Sequence, residues 1–223
     1  MYRIFIGYDS KEPECYHVLS HSIMKHAKSP VSIAPLKLEL LPLWRERNEM
    51  ESTEFSFSRF LVPFLSDYEG WSLFMDCDML VTQDITKLFQ QASERFSMLC
   101  VQHKPYKVTE EKFLGQHNTD YQRKNWSSVM LFNNKQCQFL TPRTVNNSTG
   151  LDLHRFRWLE DYMIGNLDHQ WNHLVGEQYW MTKNGHHPPA NIHWTLGGPW
   201  FEEYKDTDFA QLWHEYKNEV RHG

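Results

Sequence analysis

Two aspartates separated by one cysteine, Asp76-Cys77-Asp78, directly follow the apolar run at residues 71–75. Alternate residues of an extended segment point the same way, so both carboxylates can face one cation. Ligand sites of parallel α/β sheets lie beyond the carboxyl ends of the strands. Because Mg²⁺ and Mn²⁺ are commonly shared between carboxylates and substrate phosphates, the motif predicts a divalent-cation site for a phosphate-bearing substrate.

The spacing of two aspartates is a weak signal by itself, because Asp206-Thr207-Asp208 has the same pattern. That second pair stands at the start of the last predicted helix, where aspartate caps the helix and complements its dipole. We therefore interpret it as structural. The pair at residues 76 and 78 lies between two apolar runs, which favours a site at the end of a strand.

The opening of the chain predicts the sheet that must position this motif. Residues 3–7 form an apolar strand that stops at a loop. Residues 12–27 carry apolar side chains at three-and-four spacing, with Pro13 in the first turn of the predicted helix. A second strand is expected within 31–41. Strand, helix and strand make a βαβ unit, which predicts an α/β fold with a mostly parallel central sheet flanked by helices.

Further elements follow from the same patterns, and a polar segment at 104–124 is expected to be a loop with some helix. The predicted helices are 55–65, interrupted by Pro63, 84–91 after an Asp84 cap, and 208–221; the predicted strands are 71–75, 96–102 and 128–132.

Composition excludes several classes of protein. The chain has 223 residues and a formal net charge of −5, which fits one large domain and disfavours a nucleic-acid partner. Its four cysteines are far apart, and its first residues lack the apolar region of a signal peptide. No apolar run is long enough to span a bilayer. We therefore expect a cytoplasmic protein with reduced thiols.

Four segments together resemble glycosyltransferase family 8 and its bacterial relatives, enzymes with the GT-A nucleotide-sugar transferase fold. They are the first strand and its loop, the stretch that contains the Asp-Cys-Asp motif, a middle strand and a late glycine-containing segment. In order they are residues 4–9 (IFIGYD), 57–89, 126–133 (WSSVMLFN) and 193–200 (HWTLGGPW).

The resemblance implies roles for residues at these positions. Asp76, Asp78 and His193 would hold Mn²⁺ or Mg²⁺, which bridges the donor diphosphate. The residues expected to bind the nucleotide sugar are Tyr8, Asp9, Arg59, Asp76, Cys77, Asp78, Gly197 and Gly198. Tyr8 and Asp9 would hold the nucleoside, Arg59 would reach the donor with its guanidinium fork, and Gly197 would let the backbone approach the diphosphate.

Two departures from the family pattern concern the donor charge and the acceptor. Gly198 stands where the family has a lysine, so one positive charge near the diphosphate is missing or comes from elsewhere. The nearest candidates for the family's catalytic acceptor-side pair are Glu160 and Asp161.

The expected function is transfer of a hexose, with retention, from a nucleoside diphosphate sugar to a glycan or other acceptor, with UDP as the expected nucleotide. Within one domain, residues 1–102 would bind the nucleotide, and residues 103–223 would complete the metal site and bind the acceptor. Two alternatives stay open here. A carboxylate-pair glycoside hydrolase would use Glu160, Asp161 and Glu177. A non-catalytic carbohydrate-binding module would use the tryptophans Trp126, Trp171, Trp194 and Trp200.

Overall fold

The computed structural model describes residues 1–46, 53–104, 123–178, 180 and 187–222. Most of the polar segment expected to be a loop at 104–124 lies outside these residues. The strands are β1 (Tyr2–Gly7), β2 (Val31–Leu36), β3 (Trp71–Met75), β4 (Met79–Val81), β5 (Met98–Cys100), β6 (Val129–Asn133), β7 (Ile164–Asn166), β8 (His173–Leu174) and β9 (Asn191–His193). The α-helices are α1 (Pro13–His26), α2 (Val62–Leu65), α3 (Thr86–Phe89), α4 (Pro142–Asn147), α5 (Gly150–His154) and α6 (Ala210–His222).

The central sheet has six strands in the order β2-β1-β3-β6-β5-β7. Neighbours β1 and β2, β1 and β3, and β5 and β7 run parallel, whereas β6 is antiparallel to β3 and β5. The predicted α/β class with a mostly parallel sheet is therefore confirmed. The sheet takes strands from both sides of residue 102, and the functional division expected there stays a prediction.

A second, smaller sheet has the order β4-β9-β8. In it β4 is antiparallel to β9, and Met79 pairs with His193. This pairing brings a residue from late in the chain next to the segment that follows β3. The sequence analysis did not predict this sheet.

The central strands are buried because their sequences are continuously apolar. Leu73, Phe74 and Met75 of β3 have no exposed surface, and neither do Val129 and Met130 of the neighbouring β6. Such runs are typical of strands covered on both faces. The core therefore fixes the position of β3 and of the residues that follow it.

Helices α1 and α6 pack against each other beside the sheets. Pro13 begins α1, as predicted, and Val18, Leu19 and Ile23 lie on its buried face. On α6, Trp213 and Tyr216 are buried. Val220 is exposed, although its spacing along the helix predicts that it lies on the same buried face as these two residues. None of the helices in the described ranges combines the length and apolar composition needed to cross a membrane.

One predicted helix has a different form. The expected helix at 55–65 is a 3-10 turn, Ser58–Leu61, followed by the single-turn helix α2. Pro63 lies in the first turn of α2 and does not interrupt a longer helix. A proline has no N–H to donate, and the first turn of a helix is where that donor is not needed.

Candidate metal and nucleotide-sugar site

The three residues expected to hold a cation lie together at the carboxyl end of β3. Asp76 and Asp78 occupy the short link between β3 and β4, and His193 is the last residue of β9. One ligand atom from each of these residues lies within 4.8 Å of the other two. His193 Nε2 is 3.4 Å from Asp78 Oδ1. We call these three residues the ligand cluster.

Backbone hydrogen bonds fix this cluster on both sides. The N–H of Asp76 donates to the carbonyl of Ser128, just before β6, at 2.9 Å. The N–H of Trp194 donates to the carbonyl of Asp78 at 3.0 Å. The carboxylates therefore project from a backbone that is held by neighbouring segments of both sheets.

The environment of the cluster favours a positively charged ligand. The side chains of Asp76 and Asp78 are 14% and 25% exposed. Asp76 Oδ1 and Asp78 Oδ1 are buried, and each has one charged or chargeable neighbour, Arg59 for Asp76 and His193 for Asp78. Two carboxylates so close together repel each other, and a hard divalent cation prefers oxygen ligands. Two carboxylates and one imidazole therefore fit a Mn²⁺ or Mg²⁺ site.

Arg59 lies under the cluster and not at its surface. It is 6% exposed, and its Nη1 lies 2.9 Å from Asp76 Oδ1 and 2.9 Å from the carbonyl oxygen of Ser127. Its Nε donates to the carbonyl of Phe55 at 3.3 Å. The contacts of Nη1 and Nε hold Asp76 in place and satisfy two carbonyls. The sequence analysis expected this guanidinium to reach the donor, and that role stays a prediction.

The charges of the cluster shift one another's pKa values. Burial raises the pKa of Asp76, and Arg59 opposes that rise while Asp78 adds to it. Burial opposes the charge on His193, but the nearby Asp78 outweighs burial and raises the pKa of the ring. A buried carboxyl beside a second carboxylate is hard to ionise. A neighbouring cation therefore stabilises its charged form strongly.

The other side of His193 contacts a residue that the sequence analysis did not single out as functional. The side chain of Asn172 has no exposed surface, and its Oδ1 lies 2.8 Å from His193 Nδ1. The amide nitrogen of Asn172 lies 2.9 Å from Ser128 Oγ. No spacing signal could have found this contact, because the two residues meet only through the small sheet.

Tyr8 and Asp9 follow β1 at the same edge of the sheet, because β1 and β3 are parallel. The Tyr8 ring packs edge-on against Tyr16, with ring centroids 5.8 Å apart. Asp9 is 5% exposed and accepts hydrogen bonds from the backbone N–H groups of Lys11 and Glu54. Asp9 therefore shapes the loop after β1, and Tyr8 is the more accessible of the two.

Glu12 is a further acidic group on this side that the sequence analysis did not assign. It precedes α1 and accepts a hydrogen bond from Trp200 Nε1 at 3.0 Å. Burial and the charges of Asp78 and Asp9 raise its pKa. The start of α1 is thus tied to the segment at residues 194–200, which we call the late loop.

Gly197 and Gly198 lie in the late loop under aromatic rings. Gly197 has φ 129°, and a Cβ there would overlap the ring of Tyr204. A Cβ at Gly198 would overlap the indole of Trp200. Their lack of side chains is therefore required by packing and, at Gly197, also by backbone conformation. Backbone access to a diphosphate stays a prediction for this loop.

Cys77 turns its thiol away from the ligand cluster, and donor binding by its backbone stays a prediction. Its side chain belongs to the hydrophobic core and is 3% exposed. Burial raises the pKa of this thiol well above its usual range. The alternation that points both aspartates outward turns Cys77 inward.

Glu160 and Asp161 are exposed and lead into β7 at its amino-terminal end, whereas the ligand cluster follows the carboxyl end of β3. The carboxylate of Asp161 pairs with Arg123. In the described part of the chain, neither carboxylate forms a hydrogen bond or ion pair with the ligand cluster. Their acceptor-side role stays a prediction.

Residues of the two alternative functions lie in an ion pair or in the hydrophobic core. Glu177, the third carboxylate of the hydrolase hypothesis, forms an ion pair with Lys124. Trp171 and Trp194, offered for a carbohydrate-binding module, are 2% and 1% exposed and belong to the core. A sugar cannot stack on buried rings. The burial of Trp171 and Trp194 therefore counts against a binding platform that uses them together with Trp126 and Trp200. The second Asp-x-Asp pair, at residues 206 and 208, is exposed just before α6.

Comparison with known proteins adds one relative in sequence. The chain is 45% identical over 228 residues to "Protein CDI" of Arabidopsis thaliana, covering 98% of this chain and 88% of that protein. No protein-family model matches the chain.

Solved structures show the fold. The bifunctional glycosyltransferase WbbM superposes with a TM-score of 0.66 at 15% identity, over 99% of this chain and 51% of that chain. The glycosyltransferase GlyE of Streptococcus pneumoniae TIGR4 gives 0.60 at 17%, over 97% and 60%. The chain thus spans about half of WbbM and three fifths of GlyE.

A smaller neighbour is matched over nearly its whole length. The galactosyltransferase LgtC, in complex with donor and acceptor sugar analogues, superposes with a TM-score of 0.59 at 12% identity, over 97% of this chain and 95% of that chain. The predicted GT-A fold is therefore confirmed.

Proposed function

We propose that this chain, which belongs to the same family as Protein CDI of Arabidopsis thaliana, is a glycosyltransferase that uses a divalent cation and a nucleotide-sugar donor. The observation that carries the proposal is the ligand cluster, at the carboxyl end of the central strand of a GT-A fold. This edge is where α/β sheets bind their ligands. We further propose a likeness to glycosyltransferase family 8, with Mn²⁺ or Mg²⁺ as the cation and a UDP-hexose as the donor.

Asp76, Asp78 and His193 would hold the cation in this proposal. When bound, Mn²⁺ or Mg²⁺ would supply positive charge that stabilises the nucleoside diphosphate as it leaves. Arg59 keeps the Asp76 carboxylate oriented through Nη1, and its guanidinium would also reach the donor. The protein thus fixes the ligand set before the donor arrives, which is the preorganisation that electrostatic catalysis needs.

Tyr8 would hold the nucleoside, with Asp9 shaping the loop beneath it. Both follow β1, which is the neighbour of β3 in the sheet. A base at Tyr8 and a diphosphate at the ligand cluster would therefore lie along one edge. Gly197 and Gly198 would border the diphosphate from the late loop, whose first residue, Trp194, donates its N–H to the carbonyl of Asp78.

Transfer would proceed with retention at the anomeric carbon, to a glycan or other acceptor. If the departing phosphate accepts the proton of the acceptor hydroxyl, the protein needs no general base of its own. The positions of the three carboxylates support this scheme, because Glu160 and Asp161 are exposed and Glu177 is paired with Lys124. Glu160 and Asp161 remain our candidates for the acceptor side, within the part of the chain after residue 102.

We place the protein in the cytoplasm. All four cysteines are free and buried. Unpaired thiols are typical of reducing compartments.

Thermal unfolding with Mn²⁺ and a set of nucleoside diphosphates tests the proposal. A ligand that binds only the native state stabilises it by about 2.7 kcal/mol at a hundred times its Kd. We expect Mn²⁺ with UDP to raise Tm more than Mn²⁺ with GDP or ADP, and Asp76→Asn or Asp78→Asn to abolish the metal-dependent part.

The chain supplies a matched control for this experiment. Asp206→Asn and Asp208→Asn change the exposed pair with the same spacing, so their response to Mn²⁺ and UDP should equal that of the unaltered protein. Turnover that is unchanged in excess chelator, or in either cluster variant, would refute the metal-dependent mechanism. Stronger protection by GDP would refute UDP as the donor nucleotide.

A further inference from the structure

We propose that Asn172 is a positioning residue for the cation site: it holds the His193 imidazole with a proton on Nδ1, so that the Nε2 lone pair faces the carboxylates. The inference rests on the proposed function, since it assigns a task toward the cation of that same site. It adds a residue that touches none of the reacting atoms.

The surroundings of Asn172 determine which way its amide points. Its Nδ2 lies 3.2 Å from the carbonyl oxygen of Asn125, 2.9 Å from Ser128 Oγ and 3.0 Å from His103 Nε2. Ser128 Oγ donates its own hydrogen to the Asn125 carbonyl at 2.7 Å. An amide oxygen on this side would face a carbonyl oxygen and a hydroxyl whose proton is already committed, and these two contacts favour the nitrogen here. His103 Nε2 accepts from it when the His103 proton is on Nδ1, the nitrogen that lies 3.0 Å from Gln178 Nε2, so the orientation rests on Asn125 and Ser128.

The opposite end of the amide is then an acceptor. Asn172 Oδ1 lies 2.8 Å from His193 Nδ1, and an amide oxygen can only accept. The ring nitrogen it faces must carry the proton, which leaves Nε2 as the free nitrogen of a neutral ring. That nitrogen is the one 3.4 Å from Asp78 Oδ1.

The same contacts connect the two halves of the ligand cluster. Ser128 accepts the N–H of Asp76 with its carbonyl and the amide of Asn172 with its hydroxyl. Asn172 in turn binds His193, so contacts through Ser128 and Asn172 connect the backbone of Asp76 to the imidazole. Asn172 has no exposed surface, so these bonds face no competition from water. Outer partners of this kind orient metal ligands in many proteins.

A purely structural role for Asn172 would be to fasten β8 and β9 to the turn before β6. Asn191 provides the comparison, because it is an equally buried asparagine on the same strand as His193. Its amide donates to the carbonyl of Trp171 at 2.9 Å and makes no contact with the imidazole. A change at Asn191 should therefore loosen the small sheet without freeing the ring.

The experiment compares Asn172→Leu with Asn191→Leu by titration with Mn²⁺ alone, followed by electron paramagnetic resonance. We expect Asn172→Leu to weaken Mn²⁺ binding by about 10- to 100-fold, the usual effect of losing such a partner. Asn191→Leu should change it little. Equal loss in both variants, or none in Asn172→Leu, overturns the proposal. If the unaltered protein fails to bind Mn²⁺, the proposed function fails instead.

A second measurement does not depend on the folding of a variant. In ¹⁵N-histidine-labelled protein without metal, long-range ¹H–¹⁵N spectra recorded above the titration midpoint of the ring identify the protonated nitrogen of His193. We expect the proton on Nδ1 in the unaltered protein and in Asn172→Asp, whose carboxylate can still accept it. A proton on Nε2 in the unaltered protein overturns the proposal.

Discussion

Arg59 and Asp76 form an ion pair that is almost closed to water, with side chains 7% and 14% exposed. Such pairs cost desolvation when they form, and removing one partner leaves a buried charge without compensation. Arg59 also satisfies the buried carbonyls of Phe55 and Ser127. The pair therefore contributes both to the stability of the protein and to the orientation of Asp76, which we propose as a metal ligand.

We expect Arg59→Met to lower the free energy of unfolding by about 3–5 kcal/mol, the usual cost of breaking a buried ion pair. The cost should lie toward the lower end, because Asp76 can take up a proton once the guanidinium no longer opposes the rise of its pKa. Urea unfolding at pH 8 measures it. Adding Asp76→Asn to Arg59→Met should recover part of the loss.

The exposed ion pair between Arg157 and Asp152 is the control for this prediction. Its side chains are 57% and 41% exposed, and such pairs contribute at most about 1 kcal/mol. If Arg59→Met costs no more than Arg157→Met, the buried pair has no special role. An Asp76→Asn addition that deepens the loss would contradict the coupling.

At the residue scale, the sequence predicted the position of a side chain where the strand next to that residue determines the position. Asp76 and Asp78 were found because they end an apolar strand, and His193 entered only through the resemblance to a family. The tasks of Arg59 and Asn172 depend on partners far away in the chain. A buried polar side chain shows its role only when those partners are in place.

Elements with long, regular apolar patterns were predicted correctly, as β1, β3, α1 and most of α6 show. The small sheet was missed because β4, β8 and β9 have only two or three residues each, too few for any periodicity. Yet the pairing of β4 with β9 completes the ligand cluster. The part of the fold that assembles the site is thus the part with the weakest sequence signal.

The late loop gives a prediction at the scale of an element. Gly198→Ala would push a methyl group into the indole of Trp200, which packs on Trp194 and Trp213 and is bonded to Glu12. Overpacking of this kind costs about 1–3 kcal/mol. We expect a lower unfolding free energy and, because the first residue of the loop is hydrogen-bonded to Asp78, weaker protection by Mn²⁺ and UDP. Urea unfolding and the thermal assay measure these effects.

Gly150→Ala is the matched substitution for this test. A Cβ at Gly150 would meet the Phe57 ring at 3.5 Å, an ordinary contact, at the start of α5. Alanine is the better helix former by about 0.8–1 kcal/mol, so this variant should be neutral or slightly stabilised. Equal effects of the two substitutions would show that the late loop can absorb a side chain without cost.

At the scale of the whole molecule, size and charge predicted a globular protein without a nucleic-acid partner but not the distribution of its 13 histidines. Several are buried and uncharged. Burial lowers the pKa of His154 to about 3, and the pKa values of His103 and His173 to about 4. Such rings lower the unfolding free energy in acid, because the unfolded chain binds protons that the folded chain does not bind.

His154 offers the clearest test of this linkage. Its ring lies against Phe60, and its Nδ1 is 2.7 Å from Ser127 Oγ. The native pKa lies below the unfolded value of about 6.5, so the contribution of His154 to the unfolding free energy is lost as the pH falls below 6.5. At pH 5 the loss amounts to about 2 kcal/mol.

His154→Gln removes the titrating group but keeps an acceptor for Ser127. The variant should therefore be less stable than the unaltered protein at pH 7, and that deficit should shrink by about 2 kcal/mol at pH 5. His169→Gln, which alters a ring that is 79% exposed, should show no such convergence in the same urea titrations. Parallel pH profiles of the unaltered protein and His154→Gln would mean that His154 takes up its proton equally in the folded and the unfolded chain, which contradicts the lowered pKa.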